Sequence, residues 1–145
     1  MKWILIALVV VAAVVAVIAA IGATLPRDHV ATRSLALRRP AEEVWLAILR
    51  ATAASGVPVD VVESDPPRRH VTRVKDTEKM FGGTWTITIA PTASGSDVTI
   101  TEDGWVANPI FRFVSRLLIG HHATMDALLK NVAKTLSEPA ALSGE

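Results

Sequence analysis

Between Trp3 and Ala23 the chain reads WILIALVVVAAVVAVIAAIGA, 21 residues with no charge and no proline. As a helix rising about 1.5 Å per residue, such a run spans about 31 Å, the thickness of a bilayer's hydrocarbon core. In lipid a single segment must satisfy its backbone internally, so its many Val and Ile residues still form a helix. A cleaved leader, for which Ala20-Ile21-Gly22 offers small residues, usually carries an apolar core of only about 7 to 15 residues. The run therefore reads as an uncleaved, single-pass membrane anchor, with Trp3 at the interface. Lys2 lies on its short side and Arg27, Arg33, Arg38 and Arg39 on the other. A positive-inside count puts the domain in the cytoplasm, but the rule is weaker for arginines inside a folded domain, and the side stays open.

The rest of the chain is ordinary for one small domain. Setting Lys2 aside, 15 basic residues become 14 against 14 acidic ones, which is not the basic surface that nucleic-acid binding needs. The absence of cysteine excludes disulfide scaffolds, thiolate zinc sites, catalytic thiols and lipidated cysteine anchors. The expected division is residues 1–26 as anchor and exit, 27–137 as the domain, and 138–145 as a disordered tail.

Pro26 ends the anchor helix, so the domain starts close to the lipid surface. His29 to Arg38 alternates as a strand, with Arg33, Leu35 and Leu37 on one face. Pro40, Glu42 and Glu43 suit a helix start, and Val44, Ile48 and Ala51 share its apolar face as far as Ser55-Gly56. Period-two segments follow at 57–62, 70–75, 84–89 and 97–106, separated by Ser64-Asp65-Pro66-Pro67, Gly82-Gly83 and Ser94-Gly95-Ser96. Connections of hairpin length make these strands antiparallel. Asn108-Pro109 opens a helical pattern to about Leu136, with Ile110, Val114, Leu117, His121, Met125, Leu128 and Val132 on one side and Arg112, Arg116, Asp126, Lys130 and Lys134 opposite. A single long amphipathic helix is expected over the sheet, with Gly120 as a place for a bend.

Four segments, Arg39-Pro40-Ala41-Glu42-Glu43-Val44-Trp45, VVESDPPRRHVTRV (61–74), FGGTWTITIAPTASGSDVTITEDG (81–104) and NPIFRFVSRLLIGHHATMDALLK (108–130), resemble the SRPBCC superfamily, the START-like, polyketide cyclase and lipid-transport group. The resemblance implies an α+β helix-grip fold, in which an antiparallel sheet curls round a long C-terminal helix and encloses an apolar cavity for a hydrophobic molecule. The family pattern also has a short second helix and two strands where Ala51 to Val57 here runs straight through. About five strands instead of about seven leave one side of the grip open, to be closed by the membrane, by a second copy in a homo-oligomer, or by nothing.

Within that frame the candidate ligand-binding residues are Arg33, Trp85, Ile87, Glu102, Val114, Leu117, His121 and Met125, all assigned to the interior by periodicity. Arg33 and Glu102 lie on strands that neighbour each other in a helix grip, and pairing would offset the cost of burying either charge. With His121 they would form a polar spot in an apolar pocket, although a hydrogen-bonded core histidine is the plainer reading of His121. A bulge at Asp103-Gly104 would instead turn Glu102 to solvent. His29 and His70 read as surface residues, and adjacent His121-His122 point about 100° apart on a helix, which chelates one metal poorly. Trp45 is placed to cap the open end, while Phe111, Phe113 and Leu118 widen the apolar face of the last helix. No G-x-S-x-G elbow or glycine-rich phosphate loop is present. No catalytic residue, metal site or cofactor is assigned.

The function this implies is non-catalytic binding of a hydrophobic or lipid-like small molecule at the membrane. One alternative is an enzyme of the cyclase or dehydratase type, with His121 as general acid or base and Glu102 orienting it. Another is an interaction module that pairs through the open sheet edge.

Overall fold

The alternating segments build one antiparallel sheet in a computed structural model that describes residues 1–75 and 80–144. Helix α1 (Lys2–Thr24) leads to strand β1 (Asp28–Leu37) and helix α2 (Ala41–Ala54). Strands β2 (Val59–Asp65), β3 (Arg69–Val74), β4 (Phe81–Thr92) and β5 (Gly95–Val106) then run as a meander. Helix α3 (Pro109–Phe113), a π-helical turn (Val114–Ile119), helix α4 (Ala123–Thr135) and strand β6 (Leu142–Ser143) complete the chain. The strand order is β2-β3-β4-β5-β1-β6, an open sheet with helices on one face, and the fold is a helix grip.

Alternation decides which face is buried. Leu35 of β1, Ile87 and Ile89 of β4, and Val98 and Ile100 of β5 meet Val44 and Ile48 of α2 and Met125, Leu129 and Val132 of α4 in one core. Each such fully buried side chain contributes about 1.5–3 kcal/mol. The opposite face carries hydroxyls, which pair as Thr32 with Thr101 at 3.4 Å and Ser34 with Thr99 at 2.9 Å.

Three expectations need correction. The C-terminal helix is not one rod. The N–H of Gly120 donates to the Ser115 carbonyl at 2.8 Å, five residues back, and a φ of 83° at Gly120 turns the chain in a conformation glycine tolerates. Of its pieces, α4 packs into the core over the sheet, while α3 packs mainly against α1. The tail is not loose through residues 142–144, because β6 pairs with Ser34 and Leu35 and the Gly144 carbonyl accepts from Arg33. This adds a sixth strand; Glu145 lies outside the described residues. Finally, Gly82 and Gly83 lie within β4 and do not precede it. A Cβ on Gly82 would stand 2.7 Å from the Trp105 ring, and one on Gly83 2.7 Å from the Asp103 carbonyl.

α1 is long and apolar enough to cross a membrane, and its exit is short and held. Arg112 donates to the carbonyls of Leu25 at 3.0 Å and Ala107 at 2.8 Å. Arg27 lies over the Trp105 ring at 5.0 Å. A Cβ on Gly22 would fall on the Pro109 carbonyl, so only glycine lets α3 come this close.

Candidate functional site

A cavity of about 450 Å³ lies between the C-terminal half of α2, strands β2 to β5 and the first turns of α4. That is a volume suited to a small molecule. Ala51, Thr52, Val59, Thr72 and Val74 line one side; Trp85, Glu102, Thr124, Ala127, Leu128 and Asn131 line the other. Val57 and Phe81 stand at its margin and are about half exposed, at 47% each, so the cavity communicates with solvent. The space exists because several lining side chains are small. Thr124, Ala127, Leu128 and Asn131 follow the i, i+3, i+4, i+7 spacing of one helix face, and three of the four are not bulky.

Among the described residues, Glu102 is the only carboxylate on this lining. It sits directly opposite Trp85 in the β4–β5 register, whose indole Nε1 donates to Glu102 Oε2 at 2.6 Å. Its other oxygen, Oε1, accepts from His29 Nε2 at 2.9 Å. Each of its two oxygens thus has a hydrogen-bond partner that fixes its orientation. His29 in turn stacks on His121, with ring centroids 4.1 Å apart and 18° between planes. Burial holds the His121 imidazole below its ordinary range, and the neighbouring His29 and Arg116 act the same way against an opposing pull from Glu102. Nε2 of His121 and of His122 is buried with no hydrogen-bond partner among the described residues.

Of the residues singled out by periodicity, Trp85 and Glu102 line the cavity. Ile87 and Met125 are sealed in the core beneath it, at 1% and 0% exposure. Arg33 does not pair with Glu102; its Nε donates to Asp126 Oδ1 of α4 at 2.9 Å, because the register sets Arg33 against Ile100 and leaves Ala31 opposite Glu102. Val114 and Leu117 fall on the π-helical turn before the break at Gly120, where Leu117 is exposed. His121 stacks on His29 and is not among the residues that line the cavity. Glu102 points inward, and no bulge turns it out.

Neither of the two histidines read as surface residues is on the surface. His29 bonds Glu102, and His70 is buried at 4%, edge-on to Trp45 with ring centroids 5.5 Å apart. Trp45 is thus core and no cap. Burial also lowers the His70 pKa, and its Nδ1 has no partner among the described residues. Ala51, Thr52, Thr72, Ala127 and Asn131 also line the cavity, and hydrophobic periodicity gives no sign of them. For Ala127 and Asn131 the run of small residues on one face of α4 is the signal that points there.

No family model matches the chain, and no curated protein matches it by sequence. Solved structures do match. A conserved protein from Geobacillus kaustophilus superposes with a TM-score of 0.61 at 14% identity, over 79% of this chain and 99% of that one. A protein from Mesorhizobium loti gives 0.56 at 14% identity, over 77% and 97%. A polyketide-cyclase-like protein from Corynebacterium glutamicum gives 0.41 at 12% identity, over 78% and 86%. For the first two, at such identities, the likeness is one of fold alone.

Proposed function

We propose that the domain holds a hydrophobic or lipid-like small molecule in the cavity between α2, the sheet and α4, and that α1 tethers it to a membrane. The observation that carries this reading is the pairing of a largely apolar cavity of about 450 Å³ with a doubly anchored carboxylate, Glu102. Apolar walls favour an apolar body, and a fixed acceptor favours a molecule with a hydroxyl or ammonium donor over one with a carboxylate. The resemblance of four segments to the SRPBCC superfamily supports the same role, and so does the length of α1.

The reading needs no chemical step. In the acid–base alternative His121 would have to reach the substrate, yet Glu102 alone of the His29, His121 and Glu102 group lines the cavity. Pairing through the sheet edge has some support in the exposed Val61 and Val62 of β2. The β2–β3 register shifts between Val61 and Glu63, however, and such an irregularity discourages strand addition.

The test is to purify the full chain in mild detergent and analyse it by native mass spectrometry beside Ala127→Trp, which fills the cavity from α4. A bound apolar molecule on the parent chain, lost in the variant while its melting temperature is kept, is the expected result. An empty parent chain that also fails to take up a fluorescent long-chain alcohol would overturn the reading.

A further inference from the structure

We propose that Pro109–Ile119 is a second membrane contact, an interfacial wedge lying in the headgroup and upper acyl region beside α1. The inference rests on the reading of α1 as a membrane-spanning helix, and it adds a surface that neither the anchor nor the cavity accounts for.

Position comes first. Along α1, Ile18, Ala19 and Gly22 are shielded while most of the helix is exposed, and α3 is the element that packs there. Ile18 to Thr24 covers about 9 Å of helix rise. Anything docked on those turns sits at the bilayer boundary if α1 spans it. The contact is fixed, because Gly22 abuts the Pro109 carbonyl and Arg112 bonds the Leu25 carbonyl at 3.0 Å.

Chemistry comes second. Ile110, Phe111, Leu117, Leu118 and Ile119 are all exposed, Leu118 at 71%, which makes five large apolar side chains within ten residues. Water gives no reason for that density, whereas the boundary of a bilayer does. From Asn108 to Met125 the chain has no acidic residue and two arginines. Arg112 is occupied at the α1 exit, and exposed Arg116 is free to reach up to lipid phosphate. The backbone suits the medium too. Asn108 Oδ1 accepts from the N–H groups of Ile110 at 2.9 Å and Phe111 at 3.3 Å, which removes donors that would be costly to leave open in lipid.

The wedge also leads toward the site. α4 starts four residues after Ile119, and Thr124 in its first turn lines the cavity. Lipid and cavity thus stand at the two ends of one short segment.

The chain has no cysteine, so single-cysteine variants of the full chain report directly. Leu118→Cys, Val9→Cys in the N-terminal half of α1, and Val61→Cys on β2 are labelled with an environment-sensitive fluorophore. Each is reconstituted in phosphatidylcholine vesicles containing phosphatidylglycerol, with a spin-label quencher carried on the lipid either near the headgroup or near the chain end. The proposal expects loss of emission at position 118 with the shallow quencher more than the deep one, loss at position 9 with the deep one, and none at 61. Quenching at 9 without quenching at 118 overturns the wedge and leaves the anchor standing. A blue shift at 118 without lipid quenching assigns the patch to a second copy of the chain and equally overturns it. Absence of quenching at both 9 and 118 overturns anchor and wedge together.

Discussion

His29 and Glu102 bond at 2.9 Å between Nε2 and Oε1 although they do not face each other across the β1–β5 ladder. Glu102 stands opposite Ala31, and His29 stands opposite Gly104, so the bond runs along a diagonal. Gly104 makes the diagonal possible, because a Cβ there would lie 2.8 Å from His29 Cε1 and 3.3 Å from Glu102 Oε1. Glu102→Ala leaves both the Trp85 indole N–H and His29 Nε2 without an acceptor. Unpaired groups in a part-buried site cost about 1–3 kcal/mol, so a drop of about that size is expected in urea unfolding of the full chain in detergent. Glu102→Gln keeps an acceptor oxygen and loses less; equal losses in the two variants would show that the acceptor role is unimportant.

Stability depends on pH through His70 and His121. Burial lowers the pKa of each below 6.5 in the folded chain, while the unfolded chain takes up protons at the ordinary value. Between the lowered folded values and 6.5 the unfolded state therefore binds more protons, and stability falls as the pH drops through that window. Above 6.5 both states are neutral and the contribution is complete. His70→Phe keeps a ring against Trp45 and removes one titrating group. Its melting temperature is expected to fall less than that of the parent between neutral and mildly acid pH; parallel curves would show that His70 takes no part.

What could be read from the sequence, and what could not, follows from the range of each signal. Alternation found Trp85, Ile87 and Ile89 because one sheet face is buried and the other is wet, and Asn108 announced a helix start by a local bond. His29 looked solitary because its partner is 73 residues away on a diagonal that no period displays. The helical stripe ran through the break at Gly120 because two apolar surfaces follow one another: Ile110 and Leu117 precede it and Met125 and Val132 lie on the sheet. Only the second of these faces the core. Strand β6 has two residues, too few for any alternation. A cavity with Trp85 and Glu102 on its wall is legible in the sequence, whereas its α2 and α4 walls are not, because they are made of small side chains such as Ala51 and Ala127 and periodicity weighs the large ones.

The Arg33–Asp126 pair ties β1 to α4 at 2.9 Å, and the same guanidinium holds the Gly144 carbonyl. Its side chains are 22% and 25% exposed, so it is partly screened, and about 1 kcal/mol is a fair scale for its loss. The local effect should exceed the global one. Arg33→Ala is expected to speed amide hydrogen exchange at residues 142–144 while exchange in β5 stays slow. Unchanged exchange at the C-terminus would mean that pairing to Ser34 and Leu35 holds β6 without the arginine.

Gly22→Leu tests whether α1 and α3 are held as one rigid unit. The added Cβ would fall on the Pro109 carbonyl, a backbone atom at the capped start of α3, so neither partner can turn a side chain away. α3 must then move off α1, which stretches the Arg112 bonds to the Leu25 and Ala107 carbonyls and frees the exit at Leu25 to Arg27. Forcing extra carbon into a tight contact costs about 1–3 kcal/mol. Here the expense falls on the contact and hardly on the sheet core, from which Gly22 is separate. Trypsin should therefore cut after Arg27 faster in the variant than in the parent, both reconstituted in vesicles, with the domain's melting temperature little changed. Equal cutting rates would mean that the close approach of Gly22 to Pro109 does not hold the exit.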